Sequence, residues 1–496
     1  MSLLSTIRHH PPISWLRKQV PHSLVNTIWH YPKALSSVVF YGFPSGKLKV
    51  IGVTGSKGKT TVVHGIYHLL KTAGKRVAMI STVEAAIGKE KIDTGFHVTS
   101  PDPWHLQKLI RKVVDQGFEY LILEATSHGL AQHRLLGVNF DIGVLTNIQP
   151  EHLDYHADIP EYIKAKSKLF KSVRVAILNQ DDSSYKPIIN YIRQNNFQAK
   201  AVTYGIDNEA DIVARKIRLS ERYSEFICQI KDSLLFNSHL PNQFKIRLNQ
   251  VGKFNLYNTL AIIGTALIIK IPPEIIQKAL ASLPQIPGRM ELINHQGRKI
   301  VIDFAHTPDS MEQVLNMLKS SIELPLTPSL TKRGKSLAPA CAGRFAKGEV
   351  KRDSKNKSDS LITVFGCAGL RDTQKRPLMG KIAAKYADII ILTAEDPRTE
   401  DVNGIIDQIA QGCIKGGAEE IKSPLEREIS TLLRKGCVFL RIPDRQQAIN
   451  VAIQISNPGD TIAILGKGHE KSMCFGTNEV PWSDQKAVQQ ALSVIS

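Results

Sequence analysis

The chain has 496 residues, a formal net charge of +19 and a sequence pI near 9.5. That length predicts two or three domains with cores of their own, and the positive balance favours anionic ligands: nucleotides, acidic peptides, nucleic acid or an anionic lipid surface. Six scattered cysteines without CxxC or CxxH spacing exclude a zinc or disulfide framework, and no apolar run reaches the length of a membrane span.

Residues 1–48 form a short lead-in rich in aromatics: Trp29, Tyr31, Phe40, Tyr41 and Phe43. Two readings stay open: a helix packed on the next domain, or contact with a membrane or partner surface. His9, His10 and two prolines stand where a signal peptide needs its apolar core, so a reducing cytoplasm is expected.

Val50–Val53 reads as a buried strand, and Val62, Ile66, Leu69 and Leu70 give the following helix one apolar face. Between them runs Thr54-Gly55-Ser56-Lys57-Gly58-Lys59-Thr60-Thr61. Strand, glycine loop, Lys-Thr and helix is the arrangement that cradles nucleotide phosphates. Lys59 is placed to reach the β- and γ-phosphates and Thr60 to hold Mg²⁺. Val53 stands where the full Walker A pattern has glycine, so the match is the shorter G-x-x-G-K-T.

Further strands are predicted at 76–80, 120–124, 142–146 and 173–179, alternating with helices, which is the rhythm of a mostly parallel sheet. Glu124 ends one strand beside the phosphate loop, as a Mg²⁺ ligand or a helix-cap carboxylate. Glu151, His152 and Asp154 follow another strand and offer a second metal position. On the helix Pro160–Ser172 only Lys166 shares the apolar face with Ile163 and Phe170. Spacing alone favours a snorkelling lysine; the alternative is a depressed-pKa amine that takes up CO₂ as a carbamate. Alternation over 225–230 predicts an antiparallel excursion within 210–248, and a helix is expected over Leu256–Ile269.

A boundary is expected at Pro284–Gly288, giving 1–48, 49–285 and 286–496. The last unit carries predicted strands at 299–304, 361–366, 388–393, 438–442 and 461–465. Residues 321–360 hold nine basic and four acidic residues with little periodicity, and read as a loose solvated insertion rather than a nucleic-acid site. The motifs at Asp303–Pro308, Gly366–Arg376, Glu395–Arg398 and Gly466–Glu470 each follow a strand and would line one wall. Their mixed charges suit a zwitterionic amino acid or an acidic peptide.

In this order GVTGSKGKTT, EATSHGLAQHR, TNIQPEHLDYH with EYIKAK, GKFNLYN, PGRME, DFAHTPDS, GLRDTQKRPLMG, EDPRTED and GKGHE resemble the Mur ligases, and most of all the MurE type. The resemblance implies an α/β fold: a central P-loop-type ATPase domain and a C-terminal Rossmann-like domain. It implies an ATP-dependent, ADP-forming ligase that activates a muramoyl-peptide carboxylate as an acyl phosphate for attack by an amino acid, with meso-diaminopimelate favoured over lysine. It further implies ATP phosphates on Gly55–Thr61, two Mg²⁺ ions held by Thr60, Glu124, His152 and a carbamylated Lys166, and nucleotide contacts from Arg289, Asp303 and His306. Asn255 and Asn258 would approach the base. Thr99, Ser100, Thr126, Gln132 and Arg134 match acceptor positions. Arg371, Glu395, Asp396, Pro397, Arg398, Gly466 and Glu470 match the pocket for the added amino acid.

Three departures stand out. The family's uridine-nucleotide domain is much longer than 48 residues, which raises a lipid-linked muramoyl-peptide or a folate-like polyglutamate as alternative acceptors. Glu395-Asp396-Pro397-Arg398 replaces the DNPR of diaminopimelate-adding members. Glu151 and Thr126 stand where Asp and Ser are usual. Small-molecule substrates, no nucleic-acid partner, peripheral membrane contact at most and a monomer complete the expectation.

Overall fold

The computed structural model describes residues 26–93, 101–149, 155–196, 198–220, 223–231, 241–323, 359–422 and 436–495. The chain divides into two compact units, Met1–Arg289 and Met290–Ser496.

In the first unit the strands are β1 Lys49–Thr54, β2 Val77–Ile80, β3 Glu84–Ile87, β4 Glu90–Asp93, β5 Tyr120–Glu124, β6 Phe140–Leu145, β7 Val175–Asn179, β8 Lys200–Gly205, β9 Ile212–Leu219, β10 Ser224–Ile230 and β11 Gln243–Leu248. They form one sheet ordered β11-β10-β9-β8-β7-β6-β1-β5-β2-β3-β4. The centre is parallel, with β1 between β5 and β6. Both ends turn antiparallel, through β9–β10–β11 and β2–β3–β4.

Both faces of that centre are covered, so its strands are apolar on both sides. Ile51 and Val53 of β1 pack with Val62, Ile66 and Leu69 and with the helix Lys253–Ile268, while Val50 packs with Leu106, Ile110, Leu121 and Phe170 on the other face. The helix Lys253–Ile268 is apolar nearly all round, because it runs under β6 to β9 as a core element. It starts three residues before the predicted Leu256, at Lys253, after Gly252, whose φ of 102° turns the chain into it. The predicted helix Pro160–Ser172 is an α-helix over Ile159–Ser167 that tightens to a 3₁₀ turn over Lys168–Lys171.

The lead-in holds a helix, Tyr31–Tyr41, closed by Gly42 in the left-handed region (φ 68°) and packed against the helix Pro103–Asp115.

In the second unit the strands are β12 Glu291–His295, β13 Arg298–Asp303, β14 Leu361–Phe365, β15 Ile389–Leu392, β16 Glu419–Glu420, β17 Val438–Arg441, β18 Thr461–Leu465, β19 Ser472–Phe475 and β20 Asn478–Pro481. The main sheet runs β12-β13-β18-β14-β15-β17-β16 and is parallel except for the β12–β13 pair. Helices cover both faces, giving two apolar layers. Residues 321–323 of the expected insertion complete the helix Pro308–Glu323, and Ser360 is tied by its N–H to Asp460 at 2.8 Å; residues 324–358 lie outside the described residues.

Candidate active site

In the first unit the phosphate loop leaves β1 and enters the helix Lys59–Thr72. Because that helix begins at Lys59, the N–H groups of its first turn lack carbonyl partners inside the helix and form an anion-binding end. Two loop glycines are required by space as well as by φ. A Cβ on Gly55 (φ 150°) would fall 1.8 Å from Thr146 Oγ1, and one on Gly58 (φ 81°) would fall 2.2 Å from Asn258 Oδ1. Asn258 therefore lies against the phosphate end of the loop; its amide also reaches Asn255 at 3.4 Å.

The loop is shaped from β6. The Asn147 carbonyl accepts from Ser56 N at 2.8 Å, and its side-chain oxygen accepts from Lys57 N at 3.0 Å. Thr146 Oγ1 and Asn147 Nδ2 donate to Lys57 O at 2.6 and 3.0 Å. Lys59 folds onto the loop, donating to Ser56 O at 2.7 Å. Ser56 Oγ lies 3.0 Å from Tyr162 Oη.

Thr60 Oγ1 donates to Glu124 Oε2 at 3.1 Å, and Thr82 N donates to the same oxygen at 3.1 Å. Thr60 and Glu124 are both buried, Thr60 in the first turn of the helix Lys59–Thr72 and Glu124 as the last residue of β5, the strand beside β1. A hydroxyl and a carboxylate converging beside a phosphate cradle are hard oxygen donors, and they fit Mg²⁺. Lys166 is 1 % exposed; its Nζ donates to Gly55 O at 2.6 Å and sits 4.5 Å from the centre of the Tyr162 ring. The sequence thus brings Lys59, Thr60, Glu124 and Lys166 to one sheet edge, while Glu151, His152 and Asp154 lie outside the described residues.

Arg289, on the turn that closes the first unit, sends its field onto His64 in the helix after the loop. Burial, then Lys91 and Arg289, push that imidazole down to about 4. His64 Nε2 is 3.3 Å from Ser81 Oγ.

Of the acceptor residues, Thr126 caps the helix Ser127–Ala131 by accepting from Gly129 N at 3.1 Å. Gln132 accepts from Arg134 Nε at 2.9 Å. Thr99 and Ser100 lie outside the described residues. Burial holds the Arg134 guanidinium below its usual range, against the opposing pull of Asp102 and Tyr155.

In the second unit Asp303 ends β13; Oδ1 accepts from Ala305 N in the loop that follows and Oδ2 from Met290 N just before β12, at 2.8 Å each. His306 Nδ1 lies 2.9 Å from Phe304 O, and Lys375 Nζ donates to His306 O at 2.8 Å. Past β15, Asp396 (φ 43°) and Arg398 (φ 56°) are both left-handed, a backbone cost that the surrounding bonds must hold. Arg398 N donates to Cys474 O at 2.9 Å and Gly476 N donates to Arg398 O at 2.7 Å. Asp396 Oδ1 accepts from Lys467 Nζ at 2.8 Å and Cys474 N at 3.0 Å. Lys467 is wholly buried and also pairs with Glu470 at 2.5 Å. Burial pulls its ammonium down, but the charges of Glu470 and Asp396 outweigh that and hold its pKa up. Glu395 is buried without a bond to Oε2, and burial pushes its carboxyl up to about 7 against Lys375, Arg445 and Lys467. Gly466 (φ 107°) leaves room for it, since a Cβ there would fall 2.5 Å from Glu395 Oε2.

Arg371 is exposed on the loop after β14. That loop is fastened by a pair the sequence reading passed over. Arg376, fully buried, grips Glu400 at 2.5 and 2.9 Å, and Glu400 also accepts from Leu370 N at 2.9 Å. The Arg376 pair drives the Glu400 carboxyl down to about 2. Asn147, Lys467 and Arg376 all stood inside the quoted motifs; what singles them out is a partner distant in sequence.

A phosphate loop, a hydroxyl–carboxylate pair beside it and a second α/β unit with a cluster of buried charges after its strands are the parts of a nucleotide-dependent ligase. Residues 53–266 match the Mur ligase middle domain and residues 350–468 the Mur ligase glutamate ligase domain. The chain is 31 % identical over 465 residues to the UDP-N-acetylmuramoyl-L-alanyl-D-glutamate–2,6-diaminopimelate ligase of Clostridium botulinum, covering 93 % of this chain and 81 % of that protein. It is 32 % identical over 474 residues to the UDP-N-acetylmuramyl-tripeptide synthetase of a Roseiflexus species, covering 92 % and 81 %. A solved structure of a UDP-N-acetylmuramoyl-L-alanyl-D-glutamate–2,6-diaminopimelate ligase matches with a TM-score of 0.57 at 29 % identity, over 90 % of this chain and 79 % of that one. The fold alone is shared with the Mycobacterium tuberculosis folylpolyglutamate synthase, at a TM-score of 0.62 and 14 % identity over 88 % and 92 %. This chain belongs to the Mur ligase family and is an ATP-dependent, ADP-forming ligase using Mg²⁺. Among the described residues no helix is long and apolar enough to cross a membrane.

Proposed function

We propose that the chain adds 2,6-diaminopimelate to a UDP-N-acetylmuramoyl-dipeptide in peptidoglycan precursor synthesis, the reaction for which its relatives at 31–33 % identity are named. The observation that carries the reading is the Thr60–Glu124 pair set against the phosphate loop, in a chain alike to those relatives over nine-tenths of its length.

A carboxylate oxygen of the acceptor attacks the γ-phosphorus, the bond to ADP breaks, and an acyl phosphate forms. The amine of the incoming amino acid then attacks the acyl carbon, phosphate leaves, and the amine gives up a proton. Negative charge gathers between nucleotide and acceptor, and positioned cations offset it. In this reading Gly55–Thr61 bind the phosphates, and Lys59 leaves Ser56 O to reach the terminal one. Arg289 adds a second cation, and Asn255 and Asn258 would approach the base, Asn258 from beside Gly58. Bound Mg²⁺ supplies further positive charge to the phosphate oxygens; Thr60, Glu124 and His152 would hold it. Lys166, as a neutral amine, would add to CO₂ with formation of an N–C bond and loss of a proton, and the carbamate would be an anionic oxygen ligand for Mg²⁺. Thr99, Ser100, Thr126, Gln132 and Arg134 hold the acceptor. Asp303 and His306 are read as further nucleotide contacts.

For the amino acid, Arg398 is the partner of a distal carboxylate, while Arg371, Gly466 and Glu470 hold the reacting end. Asp396 shares its charge with Lys467 and so does not present a bare carboxylate, which favours a substrate bearing a carboxylate there over lysine. The reading places the enzyme in the cytoplasm as a monomer. Product masses from the purified protein with ATP, the dipeptide acceptor and a panel of amino acids test it. A single product with 2,6-diaminopimelate is expected; a product with lysine alone, or none with any diamino acid, overturns the substrate assignment.

A further inference from the structure

The helix Tyr31–Tyr41 is reversed for a surface helix. Against the body of the unit it buries only the small residues Ala34, Ser37 and Val38. Its large apolar side chains point outward. With the turn before it and the loop after it, Ile28, Trp29, Leu35, Val39, Phe40 and Phe43 are exposed, Trp29 at 69 % and Phe40 at 70 %. The Phe40 ring meets Trp104 at 5.2 Å, which extends the patch onto the helix Pro103–Asp115. Monomers seldom leave so many large apolar residues together in water.

The helix is held in place. Tyr31 packs edge-on to His133 at 5.4 Å, Lys33 pairs with Asp102, and Asn26 Nδ2 donates to Tyr155 Oη at 3.2 Å. The segment's own charges have one sign in the sequence, and Lys33 spends its charge on Asp102. Residues 1–48 contain Arg8, Arg17, Lys18, Lys33 and Lys47, with no aspartate or glutamate, and Lys47 is exposed beyond Phe43.

We propose that this face docks on an anionic membrane surface. Aromatic and aliphatic side chains beside the exposed Lys47, on a segment that carries cations and no acid in its sequence, match the boundary between acyl chains and anionic headgroups. A second copy meeting the patch about a twofold axis would set two cation-only segments against each other.

One consequence rests on the proposed function. Asn26 touches Tyr155, and Tyr31 packs on His133 between the proposed acceptor residues Gln132 and Arg134, so docking would turn the acceptor edge toward the bilayer.

The test is co-sedimentation of the full chain with phosphatidylcholine vesicles, with and without phosphatidylglycerol, together with turnover on a soluble acceptor. The expected result is salt-sensitive binding to the anionic vesicles, weakened about tenfold in Trp29→Ser/Phe40→Ser while soluble turnover is unchanged. Equal binding by the variant, binding to neither vesicle, or a solution dimer that Phe40→Ser dissociates would overturn it. Sedimentation does not read ligation, so failure of the ligase assignment would leave vesicle binding intact and show only in turnover.

Discussion

Thr60 and Glu124, sixty-four residues apart in the chain, meet at 3.1 Å because β1 and β5 are neighbours and both end at the same sheet edge. The fold brings a hydroxyl and a carboxylate together beside the phosphate loop, and in the proposed reading both would hold Mg²⁺.

Thr60→Ala and Glu124→Gln are therefore expected to cut kcat by about 100-fold or more, since each removes a donor oxygen where transition-state charge is offset. Thermal unfolding reports whether the fold survives, and Mg²⁺ titration of turnover should shift to higher concentration in both. Turnover near that of the parent in Glu124→Gln would remove it from the metal site.

Lys166→Ala should lower turnover by about 100-fold or more, and a short carboxylate such as acetate should restore part of it by occupying the carbamate's place. The same addition should leave Lys59→Ala unaffected. A Lys166→Ala enzyme as fast as the parent would end the carbamate proposal.

Lys467 sits between Asp396 and Glu470 with no exposed surface. Lys467→Met strands a buried carboxylate and should cost about 3–5 kcal/mol in denaturant unfolding. Adding Asp396→Asn should return a large part of that loss. Because Asp396 lies on the loop that carries Arg398, the single variant should also raise KM for the amino acid more than it lowers kcat. Purely additive effects would mean the pair is uncoupled.

Glu395 gives a pH signature of defined sign. Its folded pKa, about 7, lies above its ordinary 4.5, so the native state holds the proton more tightly than the unfolded chain. Below about 4.5 the carboxyl is neutral in both states and costs nothing. As pH rises through 7 the charged form becomes buried and stability is lost. Glu395→Gln should raise Tm relative to the parent more at pH 8 than at pH 5; an equal gain at both would contradict this environment.

Much of the architecture is legible because local signals agree. The run Val50–Val53, two glycines that only a tight loop needs, and an apolar helical face all point to one strand–loop–helix. The hairpin β3–β4 was not legible: Glu84–Ile87 and Glu90–Asp93 are four residues each and lack strong alternation. Strand ends also shift. Thr146 leaves β6 after Leu145 because its hydroxyl is used on Lys57 O. The bonds from Asn147 to Ser56 and Lys57, the Arg376–Glu400 clasp and the Lys467–Asp396 pair depend on which loops the sheets place side by side, and no local pattern encodes that.

The account's central claim is that an acceptor carboxylate takes ATP's terminal phosphoryl group. An acceptor labelled with ¹⁸O in that carboxylate, turned over with unlabelled ATP and 2,6-diaminopimelate, tests it most directly. One ¹⁸O in each released phosphate, with ADP as the other product, is the expected result; unlabelled phosphate, or AMP with pyrophosphate, would contradict it.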